Sequence, residues 1–175
     1  MRLRRAISIL ALVPAVAALV ACGDATSADQ RAMAGRWRIV TAQGFEFQAE
    51  IAGEPQRVAI GQCPMRTIDI RGDTLTWRIQ PPLAVGRAWV PDTSGQVLFD
   101  NRRGMLVQTD RIWVNGNPQP KVIDLTVMGE GEPTPFKFKG IYEIRGDTMR
   151  IALSGYLDTR PTDFASARVL TLKRE

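Results

Sequence analysis

The chain of 175 residues contains no histidine, only two cysteines and 7% aromatic residues. Without histidine there is no Ser-His-Asp or Cys-His arrangement, no histidine-ligated zinc site and no side chain that titrates unperturbed near neutrality. Cys22 and Cys63 are the only thiols. Helical periodicity is missing beyond Gly35, which argues against an α/β fold. With 45% apolar residues the chain is neither a disordered polymer nor a multi-span membrane protein, and its length suits one domain.

The first feature present is an export signature. Arg2, Arg4 and Arg5 precede an uncharged stretch over residues 6–21 that is interrupted by Pro14. This stretch is shorter than the ~20 residues a helix needs to cross a bilayer, so it reads as a signal peptide. It ends in Leu19-Val20-Ala21-Cys22, which resembles a bacterial lipobox. The resemblance implies that Cys22 receives a diacylglycerol, that the chain is cut before it and that the new amine is acylated. The competing reading is an ordinary secretory signal cut near Ala21, which leaves Cys22 a free thiol. Gly23 stands where an aspartate would mark inner-membrane retention, so the expected location is the outer membrane, facing the periplasm. The expected boundaries are a signal peptide over 1–21, a lipid-anchored tether with a short helix over 22–34, and one β-barrel domain over 35–175. Ser27 and Gln30 have capping-box spacing, and Gly35 is placed to end a short turn over residues 28–34.

Removing the signal changes the charge balance. The whole chain has 23 basic and 18 acidic residues; without the three signal arginines it has 20 and 18, a net +2. No basic run is interleaved with aromatics, so no nucleic-acid partner is expected. Carboxylates lack the spacing of a calcium loop and no nitrogen or sulfur ligands cluster, so neither metal nor cofactor is expected. With Cys22 taken up by the lipid attachment, Cys63 has no intramolecular partner and no disulfide is expected. Cys63 reads as a small apolar filler at a strand entrance.

Alternation of apolar and polar residues dominates the rest. Trp37 and Ile39 share a face, as do Phe45, Phe47, Ala49 and Ile51, then Leu75, Trp77 and Ile79, then Ile123, Leu125 and Val127. Further runs carry Ile68 and Ile70, Val97 and Phe99, Ile112 and Val114, Phe136 to Ile144, Met149 to Leu153, and Leu170 with Leu172. Such runs predict strands with one buried face. Ile70-Arg71-Gly72-Asp73-Thr74 recurs as Ile144-Arg145-Gly146-Asp147-Thr148, and each Gly-Asp suits a two-residue hairpin loop. Asn115-Gly116 and residues 52–55, 91–95 and 100–104 supply further turns. The expected fold is all-β, a small antiparallel up-and-down β-barrel of roughly 8–10 strands. A sandwich is the alternative.

Two resemblances bear on this. Residues 117–126, Gly140-Ile141-Tyr142-Glu143-Ile144, Gly146-Asp147-Thr148-Met149, Arg160-Pro161-Thr162-Asp163-Phe164 and Leu172-Lys173-Arg174, with Gly35-Arg36-Trp37-Arg38-Ile39-Val40 at the start, resemble an uncharacterised domain family abundant in planctomycetes. That family often carries a cysteine where this chain has Ala152, and the resemblance implies a fold rather than a reaction. Gly35-Arg36-Trp37 after a short helical turn also resembles the opening of lipocalin-like barrels. In that comparison Arg174, in alternation with Leu170 and Leu172, would stack on Trp37 and seal the closed end, by ~2 kcal/mol where desolvated. A solvated C-terminal arginine is the alternative.

Candidate site residues follow. Arg160 either meets an anionic ligand at the barrel mouth or pairs with Asp163 or Asp124 to pin a loop, and the second reading is favoured. Arg160, Asp163, Trp77 and Tyr142 are the candidate ligand-binding residues; Trp37, Arg174 and Asp124 are structural ones. Trp77, Trp89 and Trp113 are candidates to line a pocket or fill the core, and Ala49, Gly140 and Ala152 to leave interior room. Asp92-Thr93-Ser94-Gly95 misses the aspartic-protease motif and reads as a turn. The expected function is a non-catalytic, lipid-anchored envelope module that binds a small apolar or amphiphilic molecule or an envelope protein. The alternatives are a filled-barrel interaction module and a hydrolase with a carboxylate pair.

Overall fold

In the computed structural model the described residues are 25–82, 88–89, 96–100, 104–127, 135–155, 158–165 and 168–175, with the backbone alone at 25, 88–89 and 96–100. Cys22 and its signal, the 92–95 stretch and the Trp89 side chain therefore lie outside the described residues. One helix, α1 (Ala25–Met33), precedes the strands β1 (Gly35–Gln43), β2 (Glu46–Ile51), β3 (Glu54–Ala59), β4 (Met65–Arg71), β5 (Thr74–Gln80), β6 (Ala88–Trp89), β7 (Gln96–Asp100), β8 (Met105–Asn115), β9 (Lys121–Val127), β10 (Phe136–Arg145), β11 (Thr148–Leu153) and β12 (Arg168–Arg174). Among the described residues no helix is long and apolar enough to cross a membrane.

Eight of these strands close a barrel in the order β1-β4-β5-β8-β9-β10-β11-β12 and back to β1, every pairing antiparallel. The barrel is thus up-and-down, and closure removes its exposed edges. The other four strands form a flap in the order β3-β2-β6-β7, continuous with the barrel through β7 and β8. The eight-stranded barrel is the one expected, and the flap brings the strands among the described residues to twelve. The flap strands include β3, whose Glu54-Pro55-Gln56-Arg57 is exposed and carries no alternation, and the two-residue β6. Gly72 and Gly146 take positive φ in the two Gly-Asp hairpin loops, where a side chain would be strained.

Inward-facing side chains fill the barrel half nearest α1, with Trp37, Ile68, Ile70, Leu75, Met149 and Leu172 almost fully buried. The helix is part of this plug. Met33 is buried, and Asp29 takes hydrogen bonds from the Tyr142 hydroxyl at 2.8 Å and Lys121 Nζ at 2.9 Å. Residues 25–33 thus form a short helix within the 22–34 stretch and dock across one end of the barrel. Their small polar composition conceals the two residues, Asp29 and Met33, that anchor them.

Trp37 Nε1 donates to the Met33 carbonyl at 2.7 Å, and Arg174 Cζ lies 4.2 Å from the indole centroid. Arg174 also donates to the carbonyls of Ala34, at 2.8 Å, and Ala32. Arg174 is exposed on its outer side, so the stacking is worth about 1 kcal/mol or less rather than the desolvated figure.

The small residues do not open interior room, which corrects that expectation. Ala49 lies in the flap, Ala152 packs outward on Ile141 and Val169, and a Cβ on Gly140 would meet the Ala152 carbonyl oxygen at 2.5 Å and Leu153 Cδ2 at 2.6 Å. Gly140 is small because two strands and their side chains already occupy its space. Gly140→Ala is expected to lower stability by about 1–3 kcal/mol through overpacking against backbone. The matched Gly61→Ala, with nothing within 4 Å of the new methyl, should be near neutral in denaturant unfolding.

Candidate binding site

Arg160 and Asp163 sit on the outer wall, on the segment 158–165. Arg160 donates to the carbonyls of Ile123 on β9, at 3.1 Å, and Gly140 on β10, and its Nη2 is 2.6 Å from Asp124 Oδ1. Asp124 Oδ1 is buried and takes no aligned hydrogen bond, so this contact acts as an ion pair. Asp163 Oδ1 accepts from the Ala165 amide at 2.8 Å and shapes its own turn. Phe164 packs on Ile141, Ala152 and Val169, with the Arg150 guanidinium 4.4 Å from its ring centre. Together these contacts strap the segment onto β9, β10 and β11, and none reaches the barrel interior. Tyr142 does point inward, but into the plugged end, where burial first and the bond to Asp29 second raise its phenol pKa. Trp113 is 55% exposed on the outer face of β8. Cys63 is buried ahead of β4, and burial pushes its thiol up to about 11.

Of the candidate ligand-binding residues only Trp77 borders open space. A cavity of about 100 Å³ lies in the barrel half away from α1. Its walls are mainly apolar side chains from β5, β8, β9, β10 and β11, with the polar Ser154 after β11, and Phe45 and Phe47 line it where the chain enters the flap. The Phe45 and Trp77 ring centres are 6.1 Å apart, which fixes the indole. Into this wall β8 contributes a carboxylate. The alternation Leu106, Gln108, Asp110, Ile112, Val114 puts five side chains inward, two of them polar.

Asp110 is only 2% exposed. Its Oδ2 accepts from Trp77 Nε1 at 2.7 Å, and its Oδ1 from Gln108 Nε2 at 2.7 Å. Trp77 pairs across from Gln108 in the ladder, so Asp110 is its diagonal neighbour on the same face. Burial pushes the Asp110 carboxyl up to about 6 against the opposing pull of the Gln108 and Trp77 hydrogen bonds.

The other buried aspartates are treated differently. Asp69 lies between Arg36 and Arg78, at 3.1 and 3.0 Å; burial raises its pKa, but these hydrogen bonds outweigh it and leave it below the ordinary value. Asp29 has Lys121 at 2.8 Å. Asp110 is the one whose partners among the described residues are both neutral. Glu46 and Arg168 also border the cavity, but Glu46 is exposed and paired with Arg57 at 3.6 Å, and among the described residues the hydrogen bonds to Asp110 come from Trp77 and Gln108.

Sequence reasoning missed Asp110 and Gln108 because two polar residues on the buried face interrupt the apolar alternation of β8. Extending the two-residue period of Ile112 and Val114 backwards to Leu106 is the signal that finds them. Among the described residues no group of three or more Cys, Asp or Glu side chains is placed to hold a metal ion. Set against family models, curated proteins and solved structures, the chain matches none.

A carboxyl raised in the folded state from 3.8 to about 6 opposes folding by about 3 kcal/mol once it is ionised. Below the unfolded value both states hold the proton and this cost is absent. It grows between the two values and is complete above about pH 6. Asp110→Asn is therefore expected to be more stable than the parent at neutral pH by about 2–3 kcal/mol, with the difference vanishing on acidification to about pH 4. Urea unfolding of both proteins across that range checks it, the paired comparison cancelling the contribution of Asp69.

Proposed function

We propose that this chain is a lipid-anchored protein of the bacterial envelope, held at the outer membrane by Cys22 and facing the periplasm. In this reading its barrel binds a small apolar or amphiphilic molecule without catalysing a reaction on it. The observation that carries the binding role is the apolar cavity of about 100 Å³ with one buried carboxylate in its wall. Such a volume is well below the roughly 300–1,000 Å³ of drug-sized sites, so the occupant is compact, or is the tip of a larger amphiphile. A four-carbon chain buried there gains about 3 kcal/mol at ~0.8 kcal/mol per methylene, which corresponds to millimolar affinity.

The lipobox resemblance supports the anchor, and the position of α1 gives the anchor a geometric meaning. Two residues separate Cys22 from α1, a reach of about 10 Å at most. Lipid at Cys22 would hold the plugged end against the bilayer and leave the cavity end towards the periplasm. The resemblance to the planctomycete-type domain family supports the barrel within this reading and adds no reaction. A second reading, an interaction module for an envelope partner, is favoured by the indole of Trp113 standing half-exposed on the outer wall.

Two measurements test the proposal. Mass spectrometry of the N-terminus from native membranes is expected to show Cys22 as the acylated first residue, and an unmodified Cys22 would end the anchoring claim. With 5-fluorotryptophan incorporated into the full chain in phosphatidylcholine nanodiscs, n-butanol is expected to move the Trp77 fluorine resonance at millimolar concentration. That resonance is assigned by its loss in Trp77→Phe. Leu106→Trp, which fills the cavity, should abolish the response; a Trp77 signal indifferent to butanol favours the interaction module.

A further inference from the structure

We propose that the barrel cavity takes a compact hydrocarbon bearing a primary ammonium group, with Asp110 as the counter-ion of that ammonium. This deepens the binding role proposed above and rests on it.

The geometry leaves acceptor positions of Asp110 beside an apolar cavity. Asp110 faces an apolar cavity with each oxygen holding one hydrogen bond from a neutral donor, and a carboxylate offers about four acceptor positions. Gln108 lines the same cavity, and its Oε1 accepts nothing among the described residues. An ammonium group brings three donors and one positive charge, which matches the free acceptor positions and the missing charge together. A carboxylate ligand would meet Asp110 with like charge. A phosphate head group would likewise meet Asp110 with like charge, although Arg168 borders the cavity.

A purely structural role does not account for the charge. The indole N–H of Trp77 needs one acceptor, and an asparagine carbonyl supplies that without desolvating an ion. Retaining an ion there opposes folding, and such local conflicts concentrate where a site is prepared for a ligand. The groups facing Asp110 are Trp77 from β5 and Gln108 from β8, both neutral. At the cavity border are Glu46 of β2, paired with Arg57, and Arg168 of β12. A carboxyl that burial has pushed to about 6 is ionised at neutral pH and becomes neutral in mild acid, so the cation preference should be lost there.

The test uses three four-carbon probes on the full chain in phosphatidylcholine nanodiscs, read by the Trp77 fluorine resonance: n-butylammonium, n-butanol and butyrate. At about pH 7.5 butylammonium is expected to bind about tenfold more tightly than butanol, and butyrate more weakly than both. Asp110→Asn should bring butylammonium down to the level of butanol or below while leaving butanol affinity within about twofold, which also shows that the variant retains its cavity. In the parent protein the butylammonium advantage should disappear at about pH 5, where the amine is still charged and the carboxyl is not. If butanol binds and butylammonium binds no better, or if Asp110→Asn leaves the preference intact, the ammonium assignment is overturned and the apolar cavity stands. If none of the three binds, the cavity reading falls and takes this inference with it.

Discussion

At Trp37 the first strand, the last strand and the helix are joined by a single side chain. Its backbone pairs with Ile68 on one side and Arg174 on the other, its indole N–H holds the end of α1, and the Arg174 guanidinium covers its ring. Closing a sheet of eight strands removes two unpaired edges, yet the closing pair joins residues nearly the whole domain apart in sequence and bears the largest loop-closure entropy of any pairing. The contacts around Trp37 favour that pairing at the end of the seam. Further along the same seam the β1–β12 register shifts between Ile39 and Thr41. The Arg66 guanidinium takes the carbonyls of Ile39 at 2.9 Å and Val40 at 3.3 Å there, together with those of Gly61 and Cys63. One arginine thus satisfies the backbone groups beside the bulge, just before β1 leaves the barrel and turns at Gly44 into the flap.

Closure also fixes what a polar residue inside costs. An inward position in a closed barrel has no water to turn to, so each buried carboxylate has to find its partners on neighbouring strands or on the helix. Asp29 does so with Lys121 and Tyr142, and Asp69, facing the other side of the wall, with two arginines. Asp110 has an indole and an amide. The barrel is therefore asymmetric: its helix end is packed and charge-neutralised, while the other half holds an apolar cavity beside a carboxyl whose partners among the described residues are neutral donors.

The sequence makes the barrel wall legible and much of the site illegible, for one and the same reason. Alternation identifies β1, β2, β5 and β9 because each has a clean apolar inner face, and the repeated Gly-Asp loops mark the β4–β5 and β10–β11 hairpins. Wherever a strand departs from that pattern it is hard to see: β3 is an exposed polar edge, and the first half of β8 carries Gln108 and Asp110 inward. Charges in recognisable motifs draw attention instead. Arg160 and Asp163 stand in such a motif, but a guanidinium that bridges two strand carbonyls and an aspartate is an outer-wall fastener, and only the fold distinguishes that from a ligand clamp. Tyr142 shows the same ambiguity along the barrel axis, since periodicity says that it points inward but not at which end.

The plug also explains why the cavity lies where it does. With α1 filling the end near Tyr142, the interior that remains is the half bordered by β5, β8 and the flap. Phe45 and Phe47 enter that half from a hairpin excursion rather than from barrel strands, so the cavity wall is built partly from the element least constrained by closure. A cavity in a rigid eight-stranded cylinder is set by its inward side chains alone, whereas one walled by a flap can change volume as the flap shifts against the core. The carboxylate sits on β8, the strand that pairs with β5, β7 and β9 and so belongs to both parts. Asp110 is thereby held in the closed ladder, while the apolar contacts of Phe45 and Phe47 come from the chain entering the flap.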